Sequence, residues 1–479
     1  MDSRTLQKSL PIAFVSLTAA AMLIAGCTGV SPSALTGSTG DTQTGPAFVV
    51  GTDAPLASVV SFSVQVQGIC AVTQTSGTLP LSQCVPLLSG TPTVDFARFN
   101  GLQTLLGMND VPEGTYTQIQ ITLGSATLGY LNVPANGAPT IVTEAATYPS
   151  SASTYTYTAT LASPLVVKHA GTPVGLRVDY DLRKSIQVDS SGNFTGQVTP
   201  TFDITAVGNG DPGGYIDTID AAVVSVNTTA QSFVIEGPHG QNFTVNVNGS
   251  TDWENGESLS SLTTSSIVQV SGMLDKADST LDADDVGILS QDGFYAAGQV
   301  TYVNPSTGPA TSFDLYVRGL LPTTTGLSLG EIAQVDLTGN EKFFIYQWRN
   351  PLTQFLFNDA TLLPGQHVSI GGPASGAANP QAVTAKRVVL RHWGFNGTVV
   401  ANSVSTSAGT FQMQIAGFAG LLVPQTVTVY TATPTEFRGG LTGLSSLTNG
   451  ENIRVVGLLL KDPTSGKTIL LSHYVDELQ

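Results

Sequence analysis

The chain has 479 residues, of which only 11% are charged, and its length allows roughly three to four domains. The 34 acidic residues against 18 basic ones give a net charge of −16, which argues against nucleic acid and anionic headgroups, since both need clustered Lys and Arg. Short apolar–polar alternations recur throughout and long helical periods are almost absent, so the class is all-β.

The first 26 residues, MDSRTLQKSLPIAFVSLTAAAMLIAG, carry Arg4 and Lys8, then a mostly apolar run from Leu10 to Ile24, then the small Ala25 and Gly26. This is the order of a signal peptide, and the run is marginal for a spanning helix, which takes about 20 apolar residues. Ile24-Ala25-Gly26-Cys27 resembles the bacterial lipoprotein box. The resemblance implies cleavage before Cys27 and acylation of its thiol and new amine. An ordinary leader with a chance cysteine and an uncleaved anchor are the competing readings. Thr28 stands where lipoproteins retained in the inner membrane often have Asp, so the resemblance leans to the outer membrane, on its periplasmic or cell-surface face. Residues 27–46 then read as the lipidated cysteine and a flexible tether, because TGVSPSALTGSTGDTQTGP holds little that could enter a core.

With Cys27 taken by lipid, Cys70 and Cys84 remain as an even pair in an oxidising compartment. They flank the turn-rich CAVTQTSGTLPLSQC, and a disulfide is expected there, since nothing nearby supplies metal ligands.

Residues 47–208 read as one β-sandwich. Phe62, Val64 and Val66 alternate with Ser and Gln, and Ile119, Ile121 and Leu123 repeat the period. Leu176, Val178, Tyr180 and Leu182 face one way, with Arg177, Asp179, Asp181 and Arg183 opposite as a solvated ladder of alternating sign. Phe99, Leu102, Leu105 and Leu106 are spaced for a short helix capping the sandwich. TDAP at 52–55, VDFARFNGLQTLLG at 94–107, VPEGTYTQIQITL at 111–123 and DYDLRKSI at 179–186 resemble domain of unknown function 4382. The resemblance implies an immunoglobulin- or transthyretin-like sandwich in exported bacterial proteins, with no activity attached.

A Gly-rich linker at 209–214 precedes three tandem units, at 215–290, 291–391 (with an insertion) and 392–479. The first and last repeat the same landmarks: AAVVSVN, SFVIEG, NFTVNVN, TDW and IVQVSGML answer to GTVVANS, FQMQIAG, TVTVYTA, TEF and IRVVGLLL. Each unit reads as three strands, a short helical link and two strands, the order of a small OB-like barrel. Trp253 and Phe437 occupy matching places, as expected of a shared core plug. The units resemble domain of unknown function 5666, which implies a small barrel and again no known activity.

Several motifs invite chemistry. GLSLG around Ser328 matches a nucleophile elbow, but a strand-like IAQVDL follows where the elbow needs a helix. SGKT at 465–468 lacks the upstream Gly of a phosphate loop and reads as a hairpin turn. Asp275, Asp278, Asp282, Asp284 and Asp285 gather enough carboxylates for Ca²⁺ in a spacing that fits no EF-hand, so an acidic hairpin is the stronger reading. None of the five histidines pairs at metal-ligand spacing, although His392 with Trp393 opens a strand that could present a ligand face. The expectation is therefore a lipid-anchored envelope protein with a non-catalytic binding or scaffold role, laid out as an extended array. It has no cofactor, no catalytic residues and no nucleic-acid partner, and it reaches the membrane through its lipid and an envelope protein or polysaccharide through its loops. The alternatives are a polysaccharide-binding lipoprotein and, behind it, an envelope hydrolase with paired carboxylates.

Overall fold

A computed structural model describes residues 44–478 apart from 55–58, 74–83, 89, 100–103, 133–139, 170–173, 190–193, 208–214, 237–241, 275–279, 323–325, 347–354, 374–381, 416–424 and 463–464. Residues 1–26, expected as a leader, Cys27 and the expected linker at 209–214 lie outside the described residues.

The first module holds β1 (Thr44–Ala54), β2 (Val59–Val72), β3 (Val85–Pro86), β4 (Thr93–Asp95), β5 (Thr104–Pro112), β6 (Gly114–Asn132), β7 (Thr140–Ala146), β8 (Tyr155–Val167), β9 (Val174–Asp181), β10 (Ile186–Val188), β11 (Phe194–Val198) and β12 (Phe202–Val207). One sheet runs β12-β9-β1-β5, with β1 and β9 parallel. The other runs β3-β2-β6-β7, with β8 on the first half of the long β6. The period-two faces read from sequence meet between them: Phe62, Val64, Ile119 and Ile121 share one core with Leu176, Val178 and Tyr180. This is a β-sandwich. β1 begins at Thr44, inside the stretch expected as tether. The Cys70–Cys84 disulfide is formed, closing a separation of 14 residues.

Two expectations for this module need correction. The helix expected over 99–106 is a single 3-10 turn at Phe96–Arg98, and Leu105 and Leu106 lie in β5. Leu106 enters the sandwich core, while Leu105 packs on the next module with Phe48 and Val207. A strand buried on both faces has consecutive apolar residues, and such a run mimics a helical stripe. The charged face of β9 is also not a solvated ladder. Asp181 is buried and caps the turn Leu182–Ser185, accepting from Lys184 N at 2.9 Å. Burial pushes the Asp179 carboxyl up against the opposing pull of Arg454, which belongs to the last module. The neighbouring module covers a face that period-two reading assigns to water.

The next three modules are barrels of one design. The first contains β13 (Tyr215–Asn227), β14 (Ser232–Glu236), β15 (Asn242–Asn246), β16 (Asp252–Trp253), β17 (Ile267–Leu274) and β18 (Leu281–Ser290). β13 pairs with β14, β14 with β15, β15 with β18 in parallel, β18 with β17, and β17 back with β13. The second contains β19 (Gly293–Asn304), β20 (Ser312–Leu321), β21 (Ile332–Asp336), β22 (Lys342–Ile345), β23 (His367–Pro373), β24 (Ala382–Thr384) and β25 (Arg387–Arg391). Its last strand is broken, so β24 pairs with β21 and β25 with β23. The third, of β26 (Trp393–Val399), β27 (Thr410–Ile415), β28 (Gln425–Arg438), β29 (Asn452–Lys461) and β30 (Thr468–Glu477), is a closed barrel in the order β26-β27-β28-β30-β29.

A 3-10 turn lies before β17, β23 and β29, at Leu259–Ser261, Asp359–Thr361 and Leu444–Ser446, and the leucines around it pack on the barrel core. The recurrence of Trp253 and Phe437 has a structural counterpart. Trp253 pairs with Val286 on β18, and Phe437 with Val475 on β30, each against its own core.

The modules do not stand apart as an extended array. Residues 40–479 form one compact unit. Leu458, Leu460, Ile469 and Leu471 of the third barrel belong to the core of the second. Val60 of the sandwich packs on Tyr316 of the second. Arg387 of the second meets Glu257 of the first at 2.8 Å. β17 is buried at nearly every position for this reason: Val268 and Val270 fill its own barrel, while Gln269 and Ser271 face a neighbour.

Candidate functional site

All four modules meet around a cavity of about 70 Å³, room for roughly five waters. Its wall takes Arg98 from the sandwich, Asp220 and Gln269 from the first barrel, Tyr295 and Arg318 from the second, and Trp393 from the third. Three of the chain's five histidines, His367, His392 and His473, also line it.

The first half of the wall is an ion pair. Asp220 sits opposite Gln269 across β13 and β17, so both side chains leave the same outer face of the first barrel. Arg391, the last residue of β25, bonds Asp220 with Nη1 to Oδ2 at 2.7 Å and Nη2 to Oδ1 at 2.8 Å. Its Nη1 also donates to Tyr295 Oη at 2.6 Å, and its Nη2 to Thr218 Oγ1 at 3.1 Å. Tyr295 Oη donates to Asp220 in turn. Burial alone would raise the Asp220 pKa, but the Arg391 charge and hydrogen bonds hold it below the usual carboxylate value. Burial works against the Arg391 charge too, and Asp220 more than offsets it.

The second half is a relay of hydrogen bonds and rings. Arg318 Nε donates to Gln299 Oε1, and Arg318 Nη1 to Ala97 O of the sandwich at 3.2 Å. With its oxygen so engaged, Gln299 turns its amide nitrogen to His367 Nδ1 at 3.2 Å, which leaves the ring proton on Nε2. Burial first, then the Arg391 and Arg318 charges, hold the His367 pKa well below its usual value, so the ring is neutral. It stacks on Trp393 with centroids 4.5 Å apart, and the Arg318 guanidinium lies 4.9 Å from the same indole.

Two of these side chains are aimed by β-bulges. Gly298 pairs with Val317 while Ala297 pairs with Gly319, which leaves Arg318 as the extra residue of β20. Gly457 pairs with Ser472 while Val456 pairs with Tyr474, which leaves His473 as the extra residue of β30. A Cβ on Gly298 or Gly457 would overlap a carbonyl oxygen of the facing strand, so the bulges need glycine opposite them. His473 stacks on His392 at 4.8 Å.

Two buried atoms and one exposed guanidinium in the wall bear on what the cavity can hold. Gln269 Oε1 and Arg391 Nε are buried and have no hydrogen-bond partner among the described residues. Arg98 is exposed and makes no ion pair or hydrogen bond among the described residues, yet its charge reaches Asp220, Tyr295 and His367. The wall thus offers a buried acceptor, a buried donor and a cation at its mouth.

The motifs weighed in the sequence lie elsewhere, with one exception. Ser328 is exposed in the turn between β20 and β21, its N–H donating to Glu331 Oε2 at 3.2 Å, and a strand follows. Ser465 to Lys467 turn the β29–β30 hairpin around Asp462. Asp275 and Asp278 lie outside the described residues. A bulge at Asp284 separates the other carboxylates: Asp282 and Asp284 are exposed, while Asp285 is buried and accepts from Ser271 Oγ at 3.0 Å. Among the described residues no three His, Cys, Asp or Glu side chains group as metal ligands. The exception is His392, which lines the cavity as its place beside Trp393 allowed.

Sequence reasoning missed Arg98, Asp220, Gln269, Tyr295, Arg318, His367 and Arg391. A signal was present for three of them: Gln269, Arg318 and Arg391 interrupt the apolar runs IVQVSGML, DLYVRGLL and RVVLRHW. A charged or amide group fully inside such a run is rarely buried without a partner.

No curated relative matches the chain. Residues 46–196, the bulk of the sandwich, match the family model described as domain of unknown function (DUF4382), and residues 214–287, the first barrel, match that described as domain of unknown function (DUF5666).

Proposed function

We propose that this is a lipid-anchored cell-envelope protein with a non-catalytic binding role, and that the cavity between its modules receives a small polar ligand. The observation that carries the binding role is the pair Gln269 Oε1 and Arg391 Nε, buried in the cavity wall without a hydrogen-bond partner among the described residues. Native structures leave few such atoms unsatisfied, because each costs about 1–3 kcal/mol. A ligand with a hydroxyl group would satisfy both. The address rests on the signal peptide and on Cys27, and matching the Cys70–Cys84 disulfide to an oxidising compartment supports it.

The hydrolase alternative finds less support. Two carboxylates, Asp217 and Asp220, do line the cavity. A general acid needs a raised pKa, whereas Asp220 is held ionised by Arg391.

Thermal shift of the detergent-solubilised full chain against a panel of small polar metabolites tests the binding role. A ligand at a hundredfold its Kd stabilises by about 2.7 kcal/mol, and Gln269→Leu should weaken that response. No stabilisation by any member of the panel refutes it. Labelling of cells with a radioactive fatty acid tests the anchor: label should enter the wild-type chain and not Cys27→Ser.

A further inference from the structure

The cavity wall carries a charge pattern that narrows the ligand. Three arginines, Arg98, Arg318 and Arg391, face two aspartates, Asp217 and Asp220, in a chain whose overall charge is −16. Arg391 is spent on Asp220 and Arg318 on Gln299 and the Ala97 carbonyl. Arg98 alone of the three keeps its guanidinium without a hydrogen-bonded partner among the described residues, at the open side of the cavity. A cation would meet three like charges there. A dianion would meet the two wall carboxylates, and unfavourable juxtapositions of that kind cost several kcal/mol. A monoanion pairs with Arg98 and brings the least negative charge toward the two wall carboxylates.

Beside that cation lie an acceptor, Gln269 Oε1, and a donor, Arg391 Nε, both buried. A hydroxyl is the group that donates to one and accepts from the other. The volume sets the size: about 70 Å³ takes a carboxylate and its neighbouring carbinol, and not a whole sugar ring.

We propose that the cavity binds the carboxylate end of a hydroxy acid, with Arg98 pairing the carboxylate and Gln269 and Arg391 reading the adjacent hydroxyl. The inference rests on the binding role proposed above. A free hydroxy acid carries this end group, whereas a uronate closed as a ring keeps the carboxylate but has an ether oxygen, which accepts and cannot donate, on the neighbouring carbon.

Isothermal titration of the detergent-solubilised chain with glycerate, glycerol, inorganic phosphate and a uronate-terminated oligosaccharide tests it. Glycerate should bind, and Arg98→Gln should weaken it about tenfold or more, the usual range for a hydrogen bond to a charged group. Gln269→Leu should weaken glycerate more than it weakens acetate, which lacks the hydroxyl. Arg98 is exposed, so its variant tests the charge without disturbing the fold. If the oligosaccharide, which lacks a hydroxyl beside its carboxylate, binds at least as tightly as glycerate, the hydroxy-acid inference is overturned; binding of glycerate and not of the oligosaccharide supports it. Equal binding of glycerol and glycerate, indifferent to Arg98→Gln, overturns the anion inference and leaves the binding role standing. Tighter binding of phosphate than of glycerate overturns it too. Failure of all these probes together with the wider metabolite panel overturns both.

Discussion

Arg391 and Asp220 form a two-pronged ion pair between the second and first barrels, with the two side chains only 6% and 13% exposed. Tyr295 and Thr218 bond the same guanidinium, so the pair is the centre of a larger network. Removing one partner of a buried pair strands the other charge and costs about 3–5 kcal/mol. Asp220→Ala should therefore lower stability by that order in urea unfolding followed by tryptophan fluorescence. The double variant Asp220→Leu/Arg391→Met should recover most of the loss, because an apolar pair strands nothing. Single and double variants losing equally would refute the coupling.

Asp220 and Asp179 should give opposite pH signatures. The Asp220 pKa is depressed by its Arg391 partner, so its stabilisation is present above the ordinary carboxylate value of about 3.9 and is lost as pH falls through the lower folded value. Asp179 is raised by burial, so the folded state binds its proton first and stability falls as pH rises through the folded value. Its Oδ1 has no hydrogen-bond partner among the described residues, and it faces Asp203 across β9 and β12. Asp179→Asn is thus expected to raise the unfolding temperature at neutral pH and to lose that advantage toward acid. Asp220→Asn is expected to lower it at neutral pH and to flatten the acid limb. Thermal unfolding from about pH 2 to about pH 8, on either side of the ordinary carboxylate value, distinguishes the two.

What was legible in the sequence is what local periods encode. Phe62, Val64, Val66 and their counterparts on β6 and β9 lie on the faces their alternation assigned them, and the landmark order of the units matches the strand order of the barrels. The Cys70–Cys84 bridge is where two leftover thiols predicted it. Period two says which face is polar, but not whether water or another module covers it. Gln269, Tyr295 and Arg391 sit on outer faces that become interior only when the barrels dock. The cavity draws on positions from Arg98 to His473, and no spacing rule links residues so far apart. The bulge at Arg318 was equally hidden, because it depends on register between two strands and not on either alone.

The disulfide should matter to the sandwich more than to the barrels. It ties the end of β2 to the residue before β3, and both sulfurs are buried with Val72. For a loop of this length the constraint on the unfolded chain is worth about 3 kcal/mol at most. Cys70→Ala/Cys84→Ala, or reduction of the wild type, should bring forward protease cleavage within residues 44–207 while leaving the third barrel protected. Mass spectrometry of limited-proteolysis fragments reads this directly. Cleavage first in the third barrel would mean that the modules unfold together.

Gly298 offers a test of how the cavity wall is built. It faces the Arg318 bulge, and a side-chain carbon there would overlap the Tyr316 carbonyl oxygen. Gly298→Ala must either straighten the bulge or push β20 away from β19, and overpacking of this kind costs about 1–3 kcal/mol. Both responses move Arg318, which donates its Nε hydrogen bond to Gln299 and lies over the Trp393 ring 4.9 Å away. The variant should therefore change Trp393 fluorescence as well as stability, and the fluorescence change should vanish in a Trp393→Phe background. A loss of stability with unchanged Trp393 emission would place the strain in the backbone alone and show that Arg318 does not depend on the bulge for its aim. The equivalent change at Gly457, opposite His473, should leave Arg318 in place and disturb the His392–His473 stack instead, because each bulge sets one side chain of the wall.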